Sequence, residues 1–242
     1  MITSPHNDKL KTVRKLRARR RERERLGLFV AEGEDLLSAA DAAGWEPVER
    51  FATSGSGLPG TEVDPAVLRS VSELASGTRT LAVYRERWLE AGALARTNGL
   101  CVYLHGLSDP ANVGAVLRSA AAFGAGCVAL GPGSADPFSP RAVRASMGAI
   151  FSVPVLSASV AALPGVKLAL DARADRPLSA VARELERAGT VSLMIGAERE
   201  GLGEELLGHA DHVARIPIGT ESLNAAAAAA IAMYELSRDS NS

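Results

Sequence analysis

From Leu100 onward the hydrophobic pattern of this chain becomes a regular alternation of short apolar runs and helical stretches. Residues 101–104 and 127–130 are apolar runs suited to parallel strands buried on both faces, with a helix over 113–123 between them. Residues 166–170 and 191–195 read as further strands of this kind, joined by a helix over 177–188. A strand over 212–218 and an Ala-rich helix over 222–236 close the series. Such alternation predicts an α/β fold, a parallel sheet with helices on both faces. Ligands of such sheets bind outside the carboxyl ends of the strands. Ahead of it, a basic helix over 7–26, a strand over 28–30 and a helix over 33–43 are expected. That third element ends at Gly44, where a left-handed cap is expected. A strand over 48–53, a loop over 54–60, a helix over 65–76 and a strand over 79–84 complete a small α/β unit. The expected division is therefore 1–90, a linker over 91–99, and 100–242.

Composition narrows the class. With 47% hydrophobic and 23% charged residues, the 242-residue chain reads as an ordinary globular protein of one large or two smaller domains. Its net charge of −1 hides an asymmetry. Lys9, Lys11, Arg14, Lys15, Arg17, Arg19, Arg20, Arg21, Arg23 and Arg25 face only Glu22 and Glu24 within one segment. Such a run either attracts a polyanion or forms a solvated helix face. Cys101 and Cys127 stand in apolar surroundings without a CxxC pair, as expected of buried thiols in a reduced compartment. The N-terminus is charged, and no apolar run is long enough to span a bilayer, so a cytoplasmic protein is expected. His6, His105, His209 and His212 are scattered, and no HxH or HExxH spacing suggests a metal.

Three polar loops carry the candidate chemistry. The first follows the strand at 101–104: Pro110 and Gly114 are expected to shape a turn, Asn112 to stand where the next helix begins, and Arg118 to lie further on among apolar neighbours. Asn112 is either a helix cap or a ligand group, and Arg118 either a structural ion pair or an anion binder. The second, Gly196-Ala-Glu198-Arg-Glu-Gly201, follows the strand at 191–195. Its glycines permit close backbone approach, and Glu198 either holds the loop or meets a substrate hydroxyl. The third, Ile216-Pro-Ile218 followed by Ser222-Leu223-Asn224, leads into the Ala-rich helix. It reads as a capped helix start, or as an apolar slot with edge hydrogen bonds for an adenine ring.

In this order the loops resemble the three signature motifs of the SpoU (TrmH-type) RNA 2′-O-ribose methyltransferases of the SPOUT superfamily. The resemblance covers about residues 100–236, and the segment around Ser139, Arg144, Ser146 and Gly148 resembles the family's helix after the second strand. More loosely, residues 7–84, especially Phe29-Val-Ala-Glu-Gly-Glu-Asp-Leu-Leu37, resemble an L30e-like RNA-binding domain. Two features depart from the pattern: the loop between Ile216 and Leu223 is shorter, and the Val-rich start of the last helix is here all Ala.

The resemblance implies a C-terminal SPOUT domain with a trefoil knot, a small L30e-like domain before it, and a homodimer. It implies S-adenosyl-L-methionine as cofactor and RNA as substrate, ribosomal RNA first and transfer RNA second. Arg118, Asn112, Glu198, Ser222 and Asn224 would be the catalytic group. Leu170, Asp171, Ala172, Gly196, Ala197, Glu198, Gly201, Ile216, Ile218, Ser222, Leu223 and Asn224 would hold the cofactor. Lys9, Lys11, Arg14, Lys15, Arg17, Arg19, Arg20, Arg21 and Arg144 would meet RNA. Because a sulfonium is an activated methyl donor, positioning and electrostatics would be the protein's main tasks. Two rival readings are a non-catalytic RNA-binding protein of the same fold and a dinucleotide-binding enzyme around Gly131-Pro-Gly133. The latter lacks the third glycine, with Asp136 in its place.

Overall fold

The structure is a computed structural model that describes residues 1–74, 77–94, 99–197, 200–220 and 222–238. The chain opens with α1 (Asp8–Ala18) and α2 (Arg20–Leu26), then β1 (Leu28–Glu32), α3 (Glu34–Ala42), β2 (Glu49–Thr53), β3 (Thr61–Val63), α4 (Pro65–Arg69) and β4 (Thr80–Arg85). It continues with α5 (Ala91–Leu94), β5 (Gly99–Leu104), α6 (Pro110–Ala122), β6 (Cys127–Leu130), α7 (Pro140–Ala145), β7 (Val155–Ser157) and β8 (Val166–Leu170). Then come α8 (Leu178–Leu185), β9 (Thr190–Ile195), α9 (Glu204–Leu207), β10 (His212–Ala214) and α10 (Ala225–Ser237).

Two sheets result. The first has the order β1-β4-β2-β3, antiparallel except for β2 and β3. The second, β10-β8-β9-β5-β6-β7, is parallel throughout. Its central strands are buried on both faces, as the apolar runs predict. Cys101 and Cys127 are register partners on β5 and β6, with sulfurs 3.4 Å apart. Their mutual hydrogen bond, with burial, pushes the Cys101 thiol far above its ordinary range, so it stays protonated and unreactive.

Several boundaries differ from the sequence expectation. The basic helix breaks at Arg19, whose φ of −134° and ψ of 113° are extended, because the chain must turn to bring both pieces onto the first sheet. The helix expected over 65–76 ends at Arg69, and residues 75 and 76 lie outside the described residues. The strand expected over 212–218 stops at Ala214: Arg215 makes a single bridge to Pro177, and the chain then leaves the sheet. The last helix, expected from 222, starts at Ala225 with Asn224 as its cap. Strands β3 and β7, three residues each, were too short to show in the pattern. Gly44 takes the left-handed conformation, φ 68°.

The two sheets are joined by a common core. Phe29 of β1 lies with its ring centroid 4.9 Å from that of Phe138, and Trp45 lies 5.2 Å from Phe151. The Trp45 indole donates to the Phe151 carbonyl at 2.8 Å. Arg23 crosses from α2 to Asp136 at 2.8 Å. Of the segment expected to link the units, α5 buries Leu94 beside Cys101 and Tyr103, while residues 95–98 lie outside the described residues.

Candidate functional site

All three polar loops leave the carboxyl ends of strands β5, β9 and β10, on one edge of the parallel sheet. Each glycine in their motifs has a steric reason. Gly114 lies inside α6 rather than in a turn, a correction to its expected role: a Cβ there would stand 2.3 Å from the Ala142 carbonyl oxygen and 2.7 Å from the Ala145 Cβ. The residue thus lets α6 lie directly on α7. A Cβ on Gly196 would stand 2.2 Å from the carbonyl carbon of Gly201, so the second loop folds back onto its own start. Gly201 turns that loop with φ 66°.

Between the end of β8 and the second and third of these loops lies a cavity of about 130 Å³. Leu170, Asp171 and Ala172 form one wall after β8; Gly196, Ala197 and Gly201 form a second; Ile216, Ile218, Ser222 and Leu223 form the third. Ile195, Ala214, Ala225 and Ala228, apolar residues that read as core, also line it. The backbone amides of Ile216, Ile218 and Leu223 donate to no carbonyl among the described residues. An apolar slot edged by free amides suits a flat heteroaromatic ring that offers acceptors along its rim. The volume takes such a ring and leaves the rest of a larger ligand at the mouth.

Asp171 lines the slot with its carboxylate already paired. Arg173 grips it at 2.9 and 3.1 Å, and this guanidinium holds the carboxyl below the usual carboxylate range. Glu198 lies outside the described residues. Asn224 is close to the slot without lining it. Its Oδ1 accepts from the amides of Ala226 and Ala227 at 3.0 and 3.2 Å, and its Nδ2 donates to Asn112 Oδ1 at 3.1 Å. Asn112 sits in the first turn of α6, whose cap is Asp109. The side-chain bridge therefore ties the first loop to the third, and both Asn residues are ligatures of the site. Ser222 is exposed at the mouth.

Arg118 stands apart from this cluster. It is exposed on α6 and makes no ion pair among the described residues. Six residues separate it from Asn112, about 9 Å along a helix axis. Among the described residues nothing occupies its fork of donors, which suits an external anion.

The basic segment divides in two. Arg17 is a correction to the expected RNA-facing set, because its guanidinium is buried on Glu32, with a second bond to the Val71 carbonyl. Arg23 is likewise buried, on Asp136 and the Leu16 carbonyl. Arg14 is half-buried and donates to the Pro5 carbonyl and Ser70. Lys9, Lys11, Lys15, Arg19, Arg20 and Arg21 remain exposed, and of these Lys15, Arg19 and Arg21 make no ion pair among the described residues. Arg144 is on α7, paired with Glu73 at 3.1 Å. Among the described residues no cluster of His, Cys, Asp and Glu is arranged to hold a metal ion, and no helix is long and apolar enough to cross a membrane.

Known proteins share this arrangement. The chain is 28% identical over 251 residues to the 23S rRNA (guanosine(2553)-2′-O)-methyltransferase RlmP of Bacillus subtilis, covering 97% of this chain and 98% of that protein. It is 34% identical over 184 residues to a protein of Mycobacterium tuberculosis named "Uncharacterized tRNA/rRNA methyltransferase", covering 70% of this chain and 55% of that one. The chain spans about half the length of most of the curated relatives it matches. An AdoMet-bound rRNA methyltransferase from Sinorhizobium meliloti superposes with a TM-score of 0.86 at 26% identity, over 98% of this chain and 97% of that one. The SpoU methyltransferase AviRb from Streptomyces viridochromogenes, in complex with AdoMet, gives 0.84 at 25% identity, over 98% and 99%. Residues 7–86 match the MRM3-like substrate binding domain. Residues 99–234 match the SpoU rRNA Methylase family, and it is to that family that the chain belongs.

Proposed function

We propose that this protein is an S-adenosylmethionine-dependent methyltransferase acting on a ribose 2′-hydroxyl of ribosomal RNA, with transfer RNA as the second candidate. The observation that carries the reading is one apolar slot walled by the end of β8 and by the second and third loops, with the first loop tied to the third through Asn112 and Asn224. The AdoMet-bound structures of similar chains support the same cofactor, and the names of the relatives support an RNA substrate.

Bound there, S-adenosylmethionine would supply a methyl group already activated by its positive sulfur. Ile216, Ile218 and Leu223 would hold its adenine ring, with Leu170 and Gly196 as the neighbouring walls. The Asn112–Asn224 bridge fixes the first and third loops relative to each other, which would help to position the ribose against the methyl donor. Ser222 and Glu198 orient the ribose and the cofactor loop. Arg118 is a permanent cation and cannot serve as a base at neutral pH. It holds the neighbouring phosphate and stabilises the charge that develops on the 2′-oxygen.

The domain division at 91–99, the trefoil knot, the homodimer and the cytoplasmic location belong to the same proposal. Ile231 and Tyr234 are 41% and 54% exposed on α10, and Tyr234 touches Phe123 at the end of α6. A second copy packing on α6 and α10 would cover that apolar surface and bring the two Arg118 side chains near the shared interface.

The small slot, about 130 Å³, favours one alternative: an RNA-binding protein that retains the fold without cofactor turnover. Equilibrium dialysis with S-adenosylmethionine separates the two. Saturable binding, lost on Leu223→Asp, is the expected result; absence of binding by a folded wild-type chain would select the alternative.

A further inference from the structure

A second cavity, of about 590 Å³, lies between the N-terminal unit and the far side of the parallel sheet. Arg20 and Glu24 of α2 form one wall, the loop from Leu130 to Pro137 another, and Glu86 and Trp88 a third. Strands β6 and β7 end in it at Leu130 and Ser157, so it opens at the same carboxyl edge as the cofactor slot. The turn at Gly106 touches the walls of both. Its amide donates to the Pro132 carbonyl at 3.0 Å, and a Cβ on it would touch the Ala197 Cβ at 3.3 Å. Across the strand order, the centres of the two cavities lie about 15–20 Å apart, from strand spacings of about 4.8 Å. A single RNA strand covers that distance in a few nucleotides.

The chemistry of the walls is that of a nucleotide site. Trp88 is 44% exposed, yet its ring is held in place. Phe138 packs edge-on against it, 5.2 Å between centroids at 77°, and its Nε1 donates to Glu86 Oε2 at 2.9 Å. A fixed, half-open indole is a stacking platform for a base. Glu86 Oε1 accepts no hydrogen bond among the described residues. Burial pushes the Glu86 carboxyl above its ordinary range, a cost that a donor edge arriving from a ligand would offset. Arg20, 62% exposed and held on Glu24 at 2.7 Å, places a cation at the rim.

An ionised carboxylate only accepts hydrogen bonds. Guanine alone among the four bases presents two adjacent N–H groups on one edge. Adenine and cytosine set one donor beside a ring acceptor, and uracil sets its N–H between two carbonyls, so each would bring an oxygen or nitrogen lone pair against Glu86.

We propose that this cavity seats a guanine base of the substrate RNA, a few nucleotides from the methylated ribose, stacked on Trp88 and read by Glu86, with Arg20 on its phosphate. The proposal rests on the RNA methyltransferase reading given above and adds a sequence preference to it. It also gives a purpose to the Gly131-Pro-Gly133 segment. Gly131 packs on the Tyr103 ring, where a Cβ would stand 2.2 Å from its hydroxyl, and the loop so lowered forms the cavity's wall.

The test is fluorescence anisotropy with the full chain and end-labelled oligouridines that carry one central guanosine, adenosine, cytidine or inosine. The guanosine oligomer is expected to bind about tenfold more tightly than the adenosine or cytidine oligomers, with inosine between, as for a two-point base contact. Glu86→Gln is expected to shrink the preference to within about twofold. Trp88→Phe is expected to weaken every oligomer while keeping their order. If Glu86→Gln melts below the assay temperature, Glu86→Asp, which withdraws the carboxylate by one methylene, carries the same expectation. S-adenosylmethionine affinity, measured by calorimetry on the same samples, is expected to stay unchanged in these variants. Because base preference is read without methyl transfer, failure of cofactor binding would overturn the methyltransferase reading and leave this preference measurable. Equal affinity for all four oligomers, or a guanosine preference that survives in Glu86→Gln, would overturn the guanine site.

Discussion

In the N-terminal unit, the side chains of Arg17 and Arg23 are each 6% exposed and end on Glu32 and Asp136. On α6, Arg118 is exposed and has no ion pair among the described residues. The first two are parts of the fold, since a buried guanidinium needs a carboxylate, and losing either partner strands the other charge. The third is available to a ligand. A run of basic residues thus says little by itself about RNA. What separates a structural arginine from a functional one is whether the fold has already supplied its anion.

The contrast can be broken by substitution. Arg17→Ala leaves Glu32 buried and unpaired and should cost about 3–5 kcal/mol of stability by urea denaturation. A loss near zero would return Arg17 to the surface set. Arg118→Ala should leave the melting transition unchanged and lower methyl transfer about 10²–10³-fold, the size of losing one donor to a developing oxyanion. Cofactor affinity should hold, so equal loss of binding and turnover would mark Arg118 as structural after all. Gly114→Ala, with its Cβ directed at the Ala142 carbonyl, should cost about 1–3 kcal/mol and loosen α6 from α7. The smallest effects belong to the free surface cations. Removing Lys15 or Arg21 should reduce the slope of log affinity against log salt by about one each, with no change in stability.

How much of this was legible in the chain follows from the range of the forces involved. The parallel sheet could be read because strands buried on both faces write continuous apolar runs, as at Cys101 and Cys127. The second and third loops could be read because they follow the ends of those strands, which put Gly196 and Ile216 within reach of a local pattern, whereas Leu170 entered only through the family resemblance. Contacts between distant parts of the chain were not. Arg23 meets Asp136 across 113 positions, and nothing near Arg23 marks it as different from Arg21. The break at Arg19 is set by docking onto the first sheet, since the residues on either side favour helix. The shared aromatic core of Phe29, Trp45, Phe138 and Phe151 is of the same kind, and so is the cavity at Trp88. Gly114 was legible as important and misread as to why, because a turn and a close helix crossing ask for the same residue.

The central claim is methyl transfer to a ribose of structured RNA. Its most direct test is to map ribose methylation, nucleotide by nucleotide, in ribosomal and transfer RNA incubated with the purified chain and S-adenosylmethionine. The expected result is a new 2′-O-methyl group at a defined ribose, absent without the cofactor and absent with Arg118→Ala. Methylation of a base, or no methylation of either RNA by a folded chain that binds both RNA and cofactor, would contradict it.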